Sequence, residues 1–509
     1  MASERVHKSI LNAEVNLIFY FLALFLSFFS RKIFLECLGA EFIGLTGTLG
    51  NILGYLNLAE LGIGSCISIY LYKPLKFNHH AEISEIISVI GYLYRIIGYI
   101  ILGIGIIISL FFPIIFSDES FGMGIIYFSF FSFLCSSLIG YFINYRQILL
   151  VADQKNYIVS AYFQTASLIK TGLQIFIATY YKNLYLWVIV EFIFGVISCI
   201  ILNWKINKEY PWLKSNKKQG KQFLKNYPQI LTSTRQIFIH QIKDFILNKS
   251  DELLIFIFVS LESVAFYGNY TIIVTKVTQL FTRAQDGIGA SVGNLIAEGN
   301  KERIINVFWE LMSMKYFIAG FISFAIYFFT EPFIVVWLGE EYLLSHIIIT
   351  LLTVFCYLAN TRGVVDMYNH AYGLYADTWA AWAELVINLT ITIVCGLQWG
   401  IIGILLGKII SVSIIIVLWK PYYLFNSGIH LSVWFYWKGT IKYHLMVLTA
   451  FIGGFLTLHF LPFNPSADWI SWILYCTIGS IAFLLLEIGG FRLFTPGTTE
   501  LTKRFFKKS

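Results

Sequence analysis

TSTRQIFIHQIKDFILNKSDE, residues Thr232–Glu252, lies between long apolar runs and opens the second half of the chain. It carries Arg235, His240, Lys243, Asp244, Lys249, Asp251 and Glu252 on what reads as one helix. At about 100° per residue, Arg235 and Lys249 fall within roughly 40° of each other, Lys243 about 80° to one side, and Asp244 and Asp251 opposite. The wheel is a cationic stripe with an acidic back. A charge at the centre of a bilayer costs roughly 2.5–3.5 kcal/mol on the lenient insertion scale, so such groups face a bundle interior or a wet cavity. The helix is therefore expected to line an aqueous cavity that holds an anion. The alternative is that groups near the helix ends, Lys249 above all, extend to the headgroups.

The surrounding composition makes a membrane protein of the chain. Of 509 residues, 58% are hydrophobic and 13% charged, where soluble chains average about 25% charged. The net charge of +7 does not indicate nucleic-acid binding, because the basic residues collect in particular loops. Aromatic residues make up 18%, as expected where rings settle at membrane interfaces. The 7 cysteines are scattered singly, with no CxxC or Cys/His ligand spacing, so neither a metal site nor a disulfide framework is expected. Arg5, His7 and Lys8 precede the first apolar run without a small-residue cleavage motif, so that run reads as a membrane helix.

Apolar runs long enough to span a bilayer, about 20 residues each, occupy 12–32, 42–72, 84–115, 122–150, 157–180, 184–205, 229–258, 263–296, 303–330, 342–370, 377–397, 399–424, 439–461 and 468–491. Loop charge orients them. With the N-terminus inside, the inner segments carry Lys73, Lys76, Arg146, Lys155, Lys301, Arg303, Lys420 and the basic tail, and the loop from Lys205 to Lys225 adds more lysines. The outer segments are mainly acidic, with Asp118, Glu119, Glu262, Glu331, Glu340, Glu341 and Asp468. The positive-inside rule then gives an N-in, C-in, all-α polytopic protein of about fourteen transmembrane helices.

A weak internal repeat divides it. Leu150-Val151-Ala152-Asp153 matches Leu374-Tyr375-Ala376-Asp377, Leu173-Gln174 matches Leu397-Gln398, and Trp204-Lys205 faces Trp419-Lys420. Their order and near-constant spacing predict a tandem duplication of six helices, related about the membrane normal. The expected division is an N-terminal lobe over 1–205, a basic cytoplasmic linker over 206–228, a second lobe over 229–424, and two further helices with a basic tail over 425–509.

Duplicated six-helix bundles with a polar seam are a transporter plan, with substrate held where the repeats meet. Arg31, Arg235, Lys243, Lys249, Lys276 and Arg283 are the candidate cavity residues, with Lys32 beside them. Arginine binds phosphate bidentately and lysine as a point charge, which makes a phosphate or pyrophosphate the natural partner. The bland alternative makes Arg31, Lys32 and Arg283 interfacial anchors. In the second run Gly44, Gly47, Gly50 and Gly54 allow close helix packing or, alternatively, bending. Glu60 and Asp251 are the candidate coupling or gating carboxylates, Glu60 alternatively being an ordinary boundary residue. Arg362 and Asp366 read as an i,i+4 pair. His79-His80 with Glu82 and Glu85 reads as a solvated loop. No catalytic constellation and no P-loop is found, so neither an enzyme nor an ATP site is expected. Transport energy must come from an ion gradient, with Na+ or H+ as the coupling ion, from the membrane potential, or from downhill substrate flow.

Several stretches carry a resemblance. Arg31 followed by LGAEFIGLTGTLGNILGYLNLAELGIGSCIS and LYKPL, then His240, Lys243, Ser250-Asp251, VAFYGNYTIIV, SVGNLIAEGN, PFIVVWLGEEY and GLYADTWAAWAELVINL, resemble the bacterial polysaccharide transporter family. That family sits in the multidrug/oligosaccharidyl-lipid/polysaccharide exporter superfamily. The resemblance implies two six-helix lobes in a V around a central cavity. It also implies flipping of an undecaprenyl-pyrophosphate-linked oligosaccharide, an O-antigen, capsule or exopolysaccharide repeat unit, by alternating access in the bacterial plasma membrane. A polymerase of the same pathway is the implied protein partner. The family carries a Thr-Asp pair where this chain has Ser250-Asp251. A cation-coupled multidrug exporter of the same superfamily and a lipid II flippase are the alternatives.

Overall fold

The computed structural model describes the backbone of residues 2–60, 63–117, 121–153, 155–283, 292–293, 295–296, 298–374 and 377–494, with side chains left out at some of these positions. Secondary structure among the described residues is helical throughout. In chain order the helices are α1 (Ala2–Leu38), α2 (Ala40–Leu56), α3 (Ile63–Lys76), α4 (His80–Ser109), α5 (Met123–Ile143), α6 (Gln147–Ala152), α7 (Asn156–Tyr180), α8 (Leu184–Glu209) and α9 (Gln229–Phe258). They continue as α10 (Leu261–Arg283), α11 (Lys301–Trp337), α12 (His346–Thr361), α13 (Gly363–Ala371), α14 (Thr378–Trp399), α15 (Ile401–Val412), α16 (Lys420–Leu424), α17 (Val433–His459) and α18 (Trp469–Phe494). Ten stretches among the described residues are long and apolar enough to cross a membrane. Four more rods, α2 with α3, α7, α9 and α10, occupy the remaining expected runs. The helical rods therefore follow the fourteen expected runs in order, and the chain is a multi-pass membrane protein.

The chain divides into two compact units, Met1–Leu253 and Leu254–Ser509. The division falls inside α9, beyond the basic segment 206–228. That segment is built into the first unit. Trp212 stacks on His80 with ring centroids 3.9 Å apart, and the Asn216 amide donates to Ser88 Oγ at 2.9 Å. Gly220 sits so tightly against α4 that a Cβ there would lie 2.3 Å from the Ser88 carbonyl oxygen. Only glycine fits such a contact.

In the first unit α1 packs along α7, and α5 lies against α4 and α8. Lipid tails are as apolar as leucine, so such helices associate through close packing and interhelical hydrogen bonds. Gly195 of α8 shows this, because a Cβ there would lie 2.0 Å from Ser136 Oγ of α5. In the second unit a buried aromatic core joins α11, α13 and α17, with Phe308, Trp309, Tyr316, Tyr368 and Tyr443. Gly439 of α17 lets the helix backbone meet the Trp309 ring, where a Cβ would be 1.9 Å from the ring edge. Outer faces carry apolar side chains such as Phe25, Tyr180, Trp434 and Phe460, each more than two-thirds exposed.

The repeated Ala-Asp positions perform the same structural task in each unit. Asp153, which closes α6, accepts from Tyr210 Oη at 2.8 Å and pairs with Lys155 at 2.8 Å, tying the start of α7 to the end of α8. Lys155 also reaches Glu209 at 2.7 Å. Burial lowers the Lys155 pKa, and the hydrogen bonds from Asp153 and Glu209 outweigh it and leave the ammonium held above its ordinary value. Asp377 precedes α14, where an aspartate would ordinarily cap the helix. It makes no cap bond and accepts instead from Lys420 Nζ at 2.8 Å and Trp419 Nε1 at 3.2 Å, at the end of the following rod.

Candidate functional site

Three helices of the first unit converge on one polar patch. The residues 245–252 of α9 face α2 through Phe245, whose ring meets Tyr55 edge-on at 5.3 Å between centroids. Gly54 allows the approach, with a Cβ there only 3.2 Å from Phe245 Cζ, while Gly50 meets open space. The glycines of this helix thus differ in role, and Gly54 is a packing position. One turn along, Asn51 Nδ2 donates to Glu252 Oε2 at 2.5 Å. Arg31 of α1 interacts electrostatically with the same Glu252. Tyr55 interacts with Asp251 and hydrogen-bonds Ser250.

Asp251 is 6% exposed, whereas Lys249 is exposed. At this level the acidic side of α9 is turned toward α1 and α2 and the lysine away from them. Arg31, half-buried, is thereby engaged by Glu252 rather than standing alone. Charged and polar groups brought together away from water interact more strongly than at a surface. The patch therefore acts as a clamp on α9, and a change of its angle must exchange these partners for others. Lys276 lies on α10 in the second unit and is half-buried with partners of its own. The side chains of Arg235, Lys243 and Arg283 lie outside the described residues.

A second polar cluster sits where the second apolar run breaks. α2 ends at Leu56, a 3-10 turn covers Asn57–Glu60, and α3 resumes at Ile63. The break contains no proline and falls after Gly44, Gly47, Gly50 and Gly54. It is held by hydroxyls from α4 and α5. Tyr94 Oη donates to Glu60 Oε1 at 2.7 Å, Tyr141 Oη donates to Asn57 Oδ1 at 3.0 Å, and Ser137 Oγ donates to the same oxygen at 3.1 Å. Tyr141 also bonds Glu60. Glu60 is therefore a buried-side acceptor at an interrupted helix. Helix interruptions that line cavities are where transporters place ion and substrate contacts. Tyr94, Tyr141 and Asn57 escape a sequence reading, since their partners lie 34 to 84 residues away.

Two other pairs of ionic groups are structural. Lys170 of α7 meets Glu191 of α8 at 2.6 Å, with Gln174 Nε2 donating to the same carboxylate at 3.0 Å. Arg362 Nε lies 3.5 Å from Asp366 Oδ2, the expected i,i+4 pair. Glu487 of α18 has 0% exposure, and neither of its oxygens has a hydrogen-bond partner.

No protein-family model matches the chain, and no curated protein matches it. Among solved structures, it is similar to a lipid II flippase MurJ in an inward closed conformation, with a TM-score of 0.65 and 16% identity over 95% of this chain and 99% of that one. It is also similar to a multidrug resistance MATE family transporter of the MOP superfamily in an inward-facing conformation. There the TM-score is 0.55 and the identity 15%, over 82% of this chain and 99% of that one. The fold of this chain is therefore the one these flippase and transporter structures have.

Proposed function

We propose that this protein is a flippase that carries an undecaprenyl-pyrophosphate-linked oligosaccharide from the inner to the outer leaflet by alternating access. The observation that carries the proposal is the fold match to a lipid II flippase along 95% of the chain. Lipid II is a lipid-linked, pyrophosphate-bearing saccharide, and the cationic residues Arg31, Arg235, Lys243, Lys249, Lys276 and Arg283 suit that class of anion. The resemblance to polysaccharide transporters favours a surface-polysaccharide repeat unit, with a polymerase of the same pathway downstream, in a bacterial plasma membrane. Glu60 and Asp251 are the carboxylates proposed to couple or gate the cycle, with Na+ or H+ as the ion and no bound cofactor. The proposed lobes are the six-helix stretches 1–205 and 229–424, with 206–228 between them in sequence.

The test is the fate of lipid-linked oligosaccharide in cells lacking the protein, with the leaflet assigned by an impermeant sugar-labelling reagent. Intermediates held on the cytoplasmic side support flipping and identify the glycan by mass. Accumulated lipid II would favour that substrate instead. Unchanged lipid intermediates with drug-sensitive cells would overturn the proposal in favour of the multidrug exporter that the MATE likeness suggests.

A further inference from the structure

Where α5 ends and α8 leaves the bundle, the chain gathers cations without acids. Arg146 follows α5, with Nη1 donating to Asn207 Oδ1 at 2.7 Å and Nη2 donating to Asn203 Oδ1. Each Nη keeps a second N–H. Lys217, from the docked segment after α8, donates to the Phe142 carbonyl oxygen and lies over the Tyr145 ring at 4.6 Å. Burial lowers the Lys217 pKa first, and the neighbouring Arg146 and Arg95 guanidinium groups lower it further. Among the described residues no carboxylate pairs with Arg95, Arg146 or Lys217. Other half-buried cations in this unit, Lys155 and Lys170, do have carboxylates. Arg146 and Lys217 line one open cavity of about 450 Å³ together with Asn203 and Asn207, and Ile143, Ile200 and Trp204 form an apolar wall. Those three apolar side chains are 39%, 57% and 57% exposed. A cationic floor beside an exposed apolar wall matches an amphiphile with an anionic head. The loop charges place this end of the bundle on the cytoplasmic side, where acidic lipids and basic groups meet.

We propose that Arg146 and Lys217 form a phosphate-binding site for the headgroup of an acidic phospholipid, whose acyl chain runs along Ile200 and Trp204. The phosphate supplies the negative charge that the cluster lacks, taken by the free Nη protons of Arg146 and by Lys217. The site is built within the first unit and is separate from the polar patch on α9.

The experiment is native mass spectrometry of the full-length protein, delipidated and then exposed to phosphatidylglycerol, phosphatidylcholine or glycerol 3-phosphate. Saturable binding of phosphatidylglycerol is expected, at least tenfold tighter than phosphatidylcholine, with glycerol 3-phosphate a weak competitor. Lys217→Gln should weaken it about tenfold and Lys217→Arg should retain it. Arg146→Gln should weaken it as much, and where loss of the asparagine bonds prevents folding, the Lys217 pair of variants decides alone. Equal binding of the two lipids, or wild-type binding by Lys217→Gln, would overturn the site. Glycerol 3-phosphate binding as tightly as phosphatidylglycerol would overturn the lipid as its occupant in favour of a soluble phosphate.

Discussion

Exchanging the two ends of the Asn51–Glu252 hydrogen bond tests whether the patch on α9 is a clamp. In the protein an amide on α2 donates to a carboxylate on α9 at 2.5 Å, and Asn51 is 7% exposed. Asn51→Asp keeps the shape and removes the donor. Loss of a hydrogen bond to a charged group costs about 1.5–3 kcal/mol. Two carboxylates about 4 Å apart add up to about 4 kcal/mol of repulsion at an effective dielectric of 20. Glu252 is half-buried and Arg31 offsets part of its charge, so we expect a net loss of about 3–5 kcal/mol. Glu252→Gln alone removes the charge that Arg31 faces and is expected to cost about 1–2 kcal/mol. Combining Asn51→Asp with Glu252→Gln restores one donor and one acceptor and leaves the net charge of the patch unchanged. The double variant should then lie within about 1 kcal/mol of the wild type, far from the sum of the single losses. Unfolding of the purified protein by denaturing detergent measures all four. Simple additivity would refute the clamp.

Other substitutions probe separate parts of the structure. Asp377→Asn removes the carboxylate that pairs with Lys420 and should cost about 2–3 kcal/mol, while Asp153→Asn should cost less because Lys155 keeps Glu209; thermal unfolding of both variants ranks them. Glu487→Met replaces a carboxyl that has 0% exposure and no hydrogen-bond partner, and should raise stability by about 1–3 kcal/mol, read as a higher unfolding midpoint. Gly439→Ala drives a methyl into the Trp309 ring and should cost at least about 2 kcal/mol, with Trp309→Leu as the partial suppressor; an unchanged midpoint would contradict the packing.

The positions of the helices were legible because each apolar run exceeds the length that a bilayer imposes. Asp153 and Asp377 stand at matching places in the sequence, and the anchoring role of each follows from where its chain segment returns. The break at Asn57–Glu60 was not legible, since no proline marks it and its stabilising hydroxyls come from α4 and α5. A helical wheel of residues 232–252 carries no information on which angle faces a neighbour. Asp251 is turned inward and Lys249 is exposed because Arg31, Asn51 and Tyr55 happen to complement acid, and that matching lies some 200 residues away in the chain. The segment 206–228 read as a basic cytoplasmic linker by its lysines, and Trp212, Asn216 and Gly220 seat it on α4.

With that segment seated, the covalent link between the two compact units is a stretch of α9 in unbroken helix across Leu253 and Leu254. A helix carries torque and thrust, whereas a loop would absorb them. On the side of the first unit that helix is held at Phe245 and Glu252, so Leu253 and Leu254 continue a rod whose direction is already fixed there.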